Sequence, residues 1–203
     1  MLEVRELACR RGDAELFRDL DFQVAAGEAL LVRGANGSGK TSLLRILCGL
    51  SSPHAGAVYW QGRRVAPLDR ELRSSSIYLG HTAPLKDDLT VMENLDFALR
   101  LGGDQPGMES QLAALDSVGL FTRRHLRARQ LSAGQRRRVG MARMLLADRP
   151  VWLLDEPGTA LDAKGVKLFE GALETHLRKG GLAVITTHHD LDIDAPWREI
   201  VLQ

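Results

Sequence analysis

The sequence predicts an α/β fold in which a mixed-sheet core carries an inserted helical lobe. An apolar strand at Ala29–Val32 runs into a glycine-rich loop and then into a helical pattern. A wholly apolar stretch, Val151–Leu154, is typical of a strand buried on both faces of a parallel sheet. Between these two features, residues 90–130 show helical patterns and no strand pattern. These three observations define the predicted fold class.

The first part of the chain is predicted to alternate strands with one helix. Leu2–Ala8 alternates apolar and polar residues and is predicted to be an edge strand. Apolar residues at helical spacing predict a helix that starts at Thr41 and ends near Gly49. Further short strands are predicted at Phe22–Val24, Ala57–Trp60 and Ser76–Leu79.

The middle part is predicted to be helical. Thr90 and Glu93 form a capping-box pattern that opens a helix through Leu101. The glycine-rich stretch Gly102–Gly107 ends that helix, and a second helix follows at about residues 108–118. We therefore assign residues 90–130 to a helical subdomain. Residues 1–89 and 131–203 then form the α/β core of a single domain.

The last part is predicted to return to alternating helices and strands. A helix follows Ser132 and runs to Leu146, and the apolar strand at 151–154 comes next. A helix at about residues 164–179 and a strand at Leu182–Thr187 follow, and Ile200–Leu202 is predicted to close the sheet.

Composition and charge are those of an ordinary globular protein. The 203 residues are 44% hydrophobic and 26% charged, which suits one domain with a sizeable core. With 27 basic and 26 acidic residues the net charge is +1, so we expect no nucleic-acid partner. The two cysteines lack metal-binding spacing and fit a reducing cytosol. No secretory signal or apolar run of roughly 20 residues is visible, so we expect another chain to provide any membrane attachment.

The glycine-rich loop matches the phosphate-binding pattern G-x-x-x-x-G-K-T. Its glycines allow backbone N–H groups to converge on a phosphate at the N-terminus of the following helix. We expect Lys40 to reach the β- and γ-phosphates and the Thr41 hydroxyl to bind Mg²⁺. Such a loop can be a simple turn, but the strand before it and the helix after it favour the phosphate site. The residues of the loop are Gly34, Ala35, Asn36, Gly37, Ser38, Gly39, Lys40 and Thr41.

Two adjacent acids, Asp155 and Glu156, follow the apolar strand at 151–154. We expect Asp155 to hold Mg²⁺, through water, and Glu156 to polarise the attacking water or accept its proton. Adjacent acids at a strand end are common surface residues, and only the phosphate-binding loop upstream gives this pair its meaning. The chain has no Asn-Lys-x-Asp guanine-binding motif, which favours ATP over GTP.

The stretch Leu131–Gln135 reads Leu-Ser-Ala-Gly-Gln and precedes a predicted helix. Ser132 is a good N-cap, and Gly134 leaves room for a phosphate at the helix N-terminus. In isolation it would be an ordinary helix cap. With the other two motifs it resembles the signature motif of ABC-transporter ATPases, usually Leu-Ser-Gly-Gly-Gln, with Ala133 replacing the first glycine.

The resemblance covers nearly the whole chain and implies further roles. Asp162, in Thr159-Ala-Leu-Asp162, is similar to the D-loop of that family and would serve coupling. His188 resembles the switch histidine that contacts the γ-phosphate, although His189 is adjacent and is the alternative. Lys40, Glu156 and His188 would then be the catalytic residues, and P-loop NTPase of the ABC-ATPase type would be the fold.

The resemblance also implies that ATP is bound between two copies of the chain. Ser132, Gly134 and Gln135 of one copy would close over the ATP held at the phosphate-binding loop of the other. Two departures affect this site. Arg11 lies where the family usually stacks an aromatic residue on adenine, and its guanidinium can stack there instead. His81 lies where the family has a glutamine that ligates Mg²⁺, so we expect weaker metal contact and a coupling role.

The segment Tyr78–Leu95 is more specific than the shared motifs. Its Gly-His, Leu-Lys, Leu-Thr and Glu-Asn-Leu sequences resemble those of the ATP-binding subunits of haem exporters in bacterial cytochrome c maturation. The resemblance implies export of haem or release of a haem-loaded chaperone, with integral membrane permease subunits as partners. It also implies a peripheral position on the cytoplasmic face of the bacterial inner membrane, with no haem bound directly by this chain.

Other functions fit parts of the sequence. An ATPase of another small exporter would share all of the motifs. Soluble ABC ATPases in DNA repair or translation usually carry coiled-coil insertions or two cassettes, which this chain lacks. A non-hydrolysing regulatory subunit would not need Glu156 and His188. Apolar residues of the lobe such as Phe97 either form its own core or line a groove for a partner helix.

Overall fold

The computed structural model describes residues 1–202, which group into two compact units. The first unit comprises residues 1–80, 149–156 and 173–202, and the second comprises residues 81–148 and 157–172. The predicted α/β class is confirmed. The strands of the described chain are β1 (Leu2–Arg11), β2 (Ala14–Val24), β3 (Ala29–Gly34), β4 (Ala55–Trp60), β5 (Arg63–Val65), β6 (Ser76–Leu79), β7 (Val151–Asp155), β8 (Leu182–Thr186) and β9 (Trp197–Leu202).

An antiparallel sheet forms one part of the first unit, with strand order β2-β1-β4-β5. Strand β1 pairs with β2 on one side and with β4 on the other, so the prediction of an edge strand is wrong. All residues of Leu2–Val4 and Leu7–Cys9 are buried. The roughly alternating sequence therefore indicated neither the burial of this strand nor how many neighbours it has. Strand β2 begins at Ala14, well before the strand predicted at Phe22–Val24, and β5 was not predicted.

A parallel sheet forms the other part of the first unit, with strand order β6-β7-β8-β3-β9. Strands β7 and β8 are buried along their full length, which explains their continuous apolar sequences. The carboxyl ends of parallel strands share one edge of the sheet, and ligands of open α/β sheets bind at that edge. The loop after β3 and the two acids at the end of β7, Asp155 and Glu156, therefore lie at the same edge.

One hydrophobic core joins the two sheets of this unit with helix α1 (Lys40–Leu47). Leu43, Leu44 and Leu47 of α1 are completely buried in it. The helix ends at Cys48 and Gly49, as predicted, and Gly49 adopts the left-handed φ of 72°. A short helix, α2 (Arg70–Ser75), was not predicted; the Asp69 carboxylate caps it by accepting the amide of Leu72 at 3.0 Å.

The second unit is helical. Its helices are α3 (Val91–Leu101), α4 (Met108–Ser117), α5 (Ala133–Leu146) and the start of α6 (Ala163–Arg178). Helices α3, α4 and α5 pack on one another, with Leu95, Leu99 and Leu115 fully buried. The predicted capping box at Thr90 and Glu93 is confirmed. Val91 belongs to this core, whereas Phe97 is 45% exposed.

Candidate ATP site

The phosphate-binding loop is shaped by glycines that no other residue could replace. Gly34 has a φ of 147°, and a Cβ there would lie 2.6 Å from the carbonyl oxygen of Leu202. Gly39 has a φ of 97°, and a Cβ there would lie 2.9 Å from the ring of Phe17. Both contacts are shorter than carbon atoms allow. The backbone can therefore take this path between β3 and α1 only with glycine at these positions.

Lys40 curls back over the loop from the first turn of α1. Its Nζ donates to the carbonyl oxygens of Gly34 at 2.7 Å and Ala35 at 3.0 Å, and the residue is 8% exposed. Ser38 Oγ, in the same loop, is buried and makes no hydrogen bond within residues 1–202. A held ammonium and an orphaned hydroxyl beside a helix N-terminus fit an anionic group such as a phosphate.

Thr41 and Asp155, the two residues expected to hold Mg²⁺, are in contact. Thr41 Oγ1 donates to Asp155 Oδ2 at 2.8 Å, and the Asp155 residue is 3% exposed. The hydroxyl of Tyr78 on β6 lies 3.4 Å from the same carboxylate oxygen. Burial, and then the charge of Asp155, raise the pKa of Tyr78 to about 12, so it remains a hydrogen-bond donor at neutral pH. Hydroxyl and carboxylate oxygens are the ligands that Mg²⁺ prefers, and the pair fits that ion.

Glu156 and His188 meet at the same edge of the sheet. Nε2 of His188 lies 3.5 Å from Glu156 Oε1, and the amide of His188 donates to Glu156 Oε2 at 3.4 Å. The side chain of His188 is 49% exposed and that of Glu156 is 14% exposed. His189 instead pairs through its backbone with Thr187. This geometry supports His188 over its neighbour as the partner of the acid.

Thr186 and Tyr78, which belong to none of the sequence motifs of the site, contact the carboxylate of Asp155. Thr186 Oγ1 donates to Asp155 Oδ1 at 2.7 Å. A polar residue at the end of a wholly apolar strand was the available signal for Thr186. Its relation to Asp155 depends on the pairing of β7 with β8, which places the two residues opposite each other.

The signature segment Leu131–Gln135 lies in the second unit and caps α5. Ser132 Oγ accepts the amide of Gln135 at 3.2 Å, and Gln135 Oε1 accepts the amide of Ser132 at 3.0 Å. Gly134 has a local reason to be glycine as well, because a Cβ there would lie 2.5 Å from the carbonyl oxygen of Ala160. Ser132 is exposed to solvent.

Asp162 and His81, the two residues expected to serve coupling, also lie in the second unit. Asp162 accepts the amide of Gly165 at 2.8 Å at the start of α6 and forms an ion pair with Arg138. These two contacts, the amide first, lower the pKa of Asp162. The carbonyl of His81 accepts a hydrogen bond of 3.0 Å from the buried Arg137, and the residue itself is exposed.

Arg11 lies at the end of β1, opposite Ala14 in the register with β2. The residue is exposed to solvent. Arg11 belongs to the same antiparallel sheet as Phe17, whose ring lies beside Gly39 of the phosphate-binding loop. The predicted contact between its guanidinium and an adenine ring remains a prediction.

Fold and site define an ATP-binding cassette, and comparison with known proteins agrees. The family profile described as "ABC transporter" matches residues 17–159. A solved structure titled "Dimeric structure of a post-hydrolysis state of the ATP-binding cassette MJ0796 bound to ADP and Pi" superposes with a TM-score of 0.79 at 27% identity, covering 93% of this chain and 88% of the other. A putative ABC transporter ATP-binding protein from Pyrococcus furiosus shares the fold, with a TM-score of 0.84 at 22% identity over 98% of this chain and 96% of that one.

Curated relatives narrow the class. The cytochrome c biogenesis ATP-binding export protein CcmA of Nitrosomonas europaea is 49% identical over 191 residues, which cover 94% of this chain and 90% of the relative. The protein of the same name from Dechloromonas aromatica is 44% identical over 195 residues, or 96% of each chain. The chain therefore belongs to the ABC transporter family and, within it, to the cytochrome c biogenesis ATP-binding export proteins.

Proposed function

We propose that this chain is the ATP-binding and ATP-hydrolysing subunit of a membrane complex that exports haem, or releases a haem-loaded chaperone, during assembly of c-type cytochromes. The contact of Thr41 with Asp155 and the contact of Glu156 with His188 support the hydrolytic part of the proposal. The names of the relatives, which specify cytochrome c biogenesis and export, support the biological part.

ATP would bind with its phosphates on the loop Gly34–Thr41. Amides of the loop and the ammonium of Lys40 would neutralise the phosphate charge, and Ser38 Oγ offers a further donor in this loop. Arg11 would lie against the adenine. Thr41 and Asp155 would hold Mg²⁺, which when bound supplies positive charge to the phosphate oxygens. Lys40 would leave its present carbonyl partners to meet the phosphates.

Glu156 would be the residue that activates water for hydrolysis. Its carboxylate would orient the attacking water and accept a proton from it, while His188 would contact the γ-phosphate. The distance of 3.5 Å between the imidazole and the carboxylate supports a shared role for the two side chains. The left-handed φ of 50° at Glu156 is costly for a non-glycine residue, and such backbone strain is concentrated at functional sites.

A second copy of the chain would complete the site. Ser132, Gly134 and Gln135 of that copy would contact the γ-phosphate, so ATP binding would close the dimer and hydrolysis would open it. The titles of two related cassette structures describe dimers, which supports this arrangement. The exposure of Ser132, beside a helix N-terminus, also supports it.

Integral membrane permease subunits would be the partners that couple this cycle to transport. Residues 90–130 would be the helical subdomain, and His81 and Asp162 would transmit the state of the site. Within residues 1–202, no helix is long and apolar enough to cross a membrane. We place the chain peripherally on the cytoplasmic face of the inner membrane, held there by those subunits, with haem bound by them.

Complementation tests the proposal. A strain lacking its own cytochrome c biogenesis ATPase would receive this chain, its Glu156→Gln variant or the control Glu109→Gln, in which an exposed glutamate of α4 changes in the same way. We expect the parent and the control to restore haem-stained c-type cytochromes and Glu156→Gln to restore none. Restoration by Glu156→Gln would contradict an ATP-driven role. If the purified parent hydrolyses ATP but the parent gene restores no cytochromes, the ATPase assignment stands and the role in haem export is refuted.

A further inference from the structure

Thr186 occupies the last position of β8 and is completely buried. The register of the parallel sheet places it directly opposite Asp155 at the end of β7. The four residues before it in β8 are aliphatic, and valine would continue that pattern. Burial of a hydroxyl is unfavourable unless hydrogen bonds satisfy it, so the bonds made by this hydroxyl explain its presence.

The Thr186 hydroxyl connects the two acids of the site. It donates to Asp155 Oδ1 at 2.7 Å and accepts the amide of Glu156 at 3.1 Å. The same amide also lies 3.0 Å from the carbonyl oxygen of Thr186. The hydroxyl thus leaves Asp155 Oδ2 to Thr41, and it anchors Glu156 where the backbone φ is 50°.

We propose that Thr186 is a positioning residue for ATP hydrolysis. Its hydroxyl fixes the carboxylate of Asp155, which would hold Mg²⁺, relative to the backbone of Glu156, which would activate water. The inference rests on the proposed function of Asp155 and Glu156. Loss of the hydroxyl removes the hydrogen bond that holds Asp155 Oδ1, so that, of the contacts described above, those of Oδ2 with Thr41 and Tyr78 continue to orient the carboxylate. It also removes an acceptor of the Glu156 amide. Mutation of a group that hydrogen-bonds to a metal ligand typically lowers metal affinity or activity by about 10- to 100-fold.

The neighbouring residue provides a matched control. Thr187 is also buried, at 2% exposed, and its hydroxyl makes two hydrogen bonds of similar length. It donates to the carbonyl oxygen of His189 at 3.1 Å and accepts the amide of the same residue at 3.0 Å. Thr187→Val therefore removes the same atom from the same strand end without touching Asp155 or Glu156.

The experiment compares Thr186→Val, Thr186→Ser and Thr187→Val. We expect Thr186→Val to lower kcat by about 10- to 100-fold with the KM for ATP changed less than about 3-fold. Thr186→Ser keeps the hydroxyl and should restore most of the rate, and Thr187→Val should remain within about 3-fold of the parent.

A second readout does not depend on turnover. In the Glu156→Gln background with ATP bound, titration with Mn²⁺ followed by electron paramagnetic resonance measures metal affinity. Thr186→Val should weaken Mn²⁺ binding by about 10-fold, and Thr187→Val should leave it unchanged. If Thr186→Val does not fold, Thr186→Ala replaces it in both measurements.

Two results would overturn the inference: equal effects of Thr186→Val and Thr187→Val on kcat and on Mn²⁺ affinity, or a serine variant as impaired as the valine variant. Failure of the proposed function looks different, because the parent protein itself would then bind no ATP or show no Mg²⁺-dependent hydrolysis.

Discussion

The two parts of the proposed ATP site differ in how their polar groups are held. In the first unit, the Asp155 carboxylate is buried and bonded to side chains from α1, β6 and β8. In the second unit, Ser132 is exposed and bonded to Gln135 within its own helix. The catalytic part is therefore assembled by tertiary structure, whereas the signature segment is assembled by a local capping box.

This difference predicts different consequences for substitution. A change in the catalytic part should damage ATP binding or chemistry in the chain that carries it. A change at the exposed face of the signature segment should leave that chain folded and able to bind ATP. Its effect should emerge only where two copies share a nucleotide.

The largest effect should come from Glu156→Gln. The amide cannot accept the proton from water, so phosphate release should fall by about 1,000-fold. ATP should still bind, because the side chain would contact the attacking water and not the nucleotide. Phosphate release and binding of a fluorescent ATP analogue check the two statements. Full turnover in this variant would move the base to another residue.

Lys40→Ala should weaken ATP binding by about 100-fold, because it removes a buried cation that would pair with the phosphates. Lys179→Ala, at an exposed position of the same unit, is the control and should bind ATP as the parent does. Titration with the fluorescent ATP analogue measures both. Unchanged affinity in Lys40→Ala would refute the assignment of the phosphate-binding loop.

Substitution of each adjacent histidine distinguishes which of the two imidazoles takes part in hydrolysis. His188→Ala removes the imidazole that lies 3.5 Å from Glu156 and should lower kcat by about 50-fold, within the range for groups that orient a reacting residue. His189→Ala should remain within about 3-fold, since its contacts to Thr187 use backbone atoms only. The reverse pattern of rates would assign the switch role to His189.

Arg137→Met tests the interior of the second unit. The Arg137 residue is 3% exposed and donates to the carbonyl oxygens of His81 at 3.0 Å and Pro157 at 3.2 Å. Loss of these charge-assisted bonds should reduce the free energy of unfolding by about 2 kcal/mol. Arg129→Met, which loses only an exposed ion pair with Asp88, should change it little. Urea denaturation compares the variants, and equal midpoints would contradict the structural role of Arg137.

Tyr78→Phe should have the smallest effect, about 0.5–1 kcal/mol at neutral pH, because its bond to Asp155 is long at 3.4 Å. The pKa of Tyr78 is raised to about 12, so the folded state disfavours the phenolate. The stability it contributes is fully present below the ordinary tyrosine pKa, about 10, and is lost as the pH rises towards 12. The parent should lose stability between pH 10 and 12 faster than the variant, and parallel curves would contradict the burial of this hydroxyl.

Local patterns account for what the sequence predicted well. The glycines of the phosphate-binding loop, the apolar run of β7 and the capping boxes at Thr90 and Ser132 each involve residues close in the chain. Sequence spacing and residue chemistry determine such features directly. The segment boundaries of α1, α3 and α5 followed from the same signals.

Strand order accounts for what the sequence did not predict. The interior position of β1 depends on its pairing with β4, which is more than forty residues away. The contacts of Tyr78 and Thr186 with Asp155 likewise require β6, β7 and β8 to lie side by side. The sequence spacing of these residues does not predict which strands are adjacent, because non-local strand pairing is a property of the whole sheet.

The proposed dimer places each ATP between Lys40 of one copy and Ser132 of another. The most direct measurement mixes Lys40→Ala chains with Ser132→Arg chains, both in the Glu156→Gln background, and counts trapped ATP. Each variant alone should trap almost none. An equimolar mixture should trap about one quarter of the parent amount, because half of the dimers are mixed and each mixed dimer has one complete site of two. Co-purification of differently tagged chains proves that mixed dimers form. Trapping by the Ser132→Arg variant alone, or none in a mixture with proven mixed dimers, would contradict the claim.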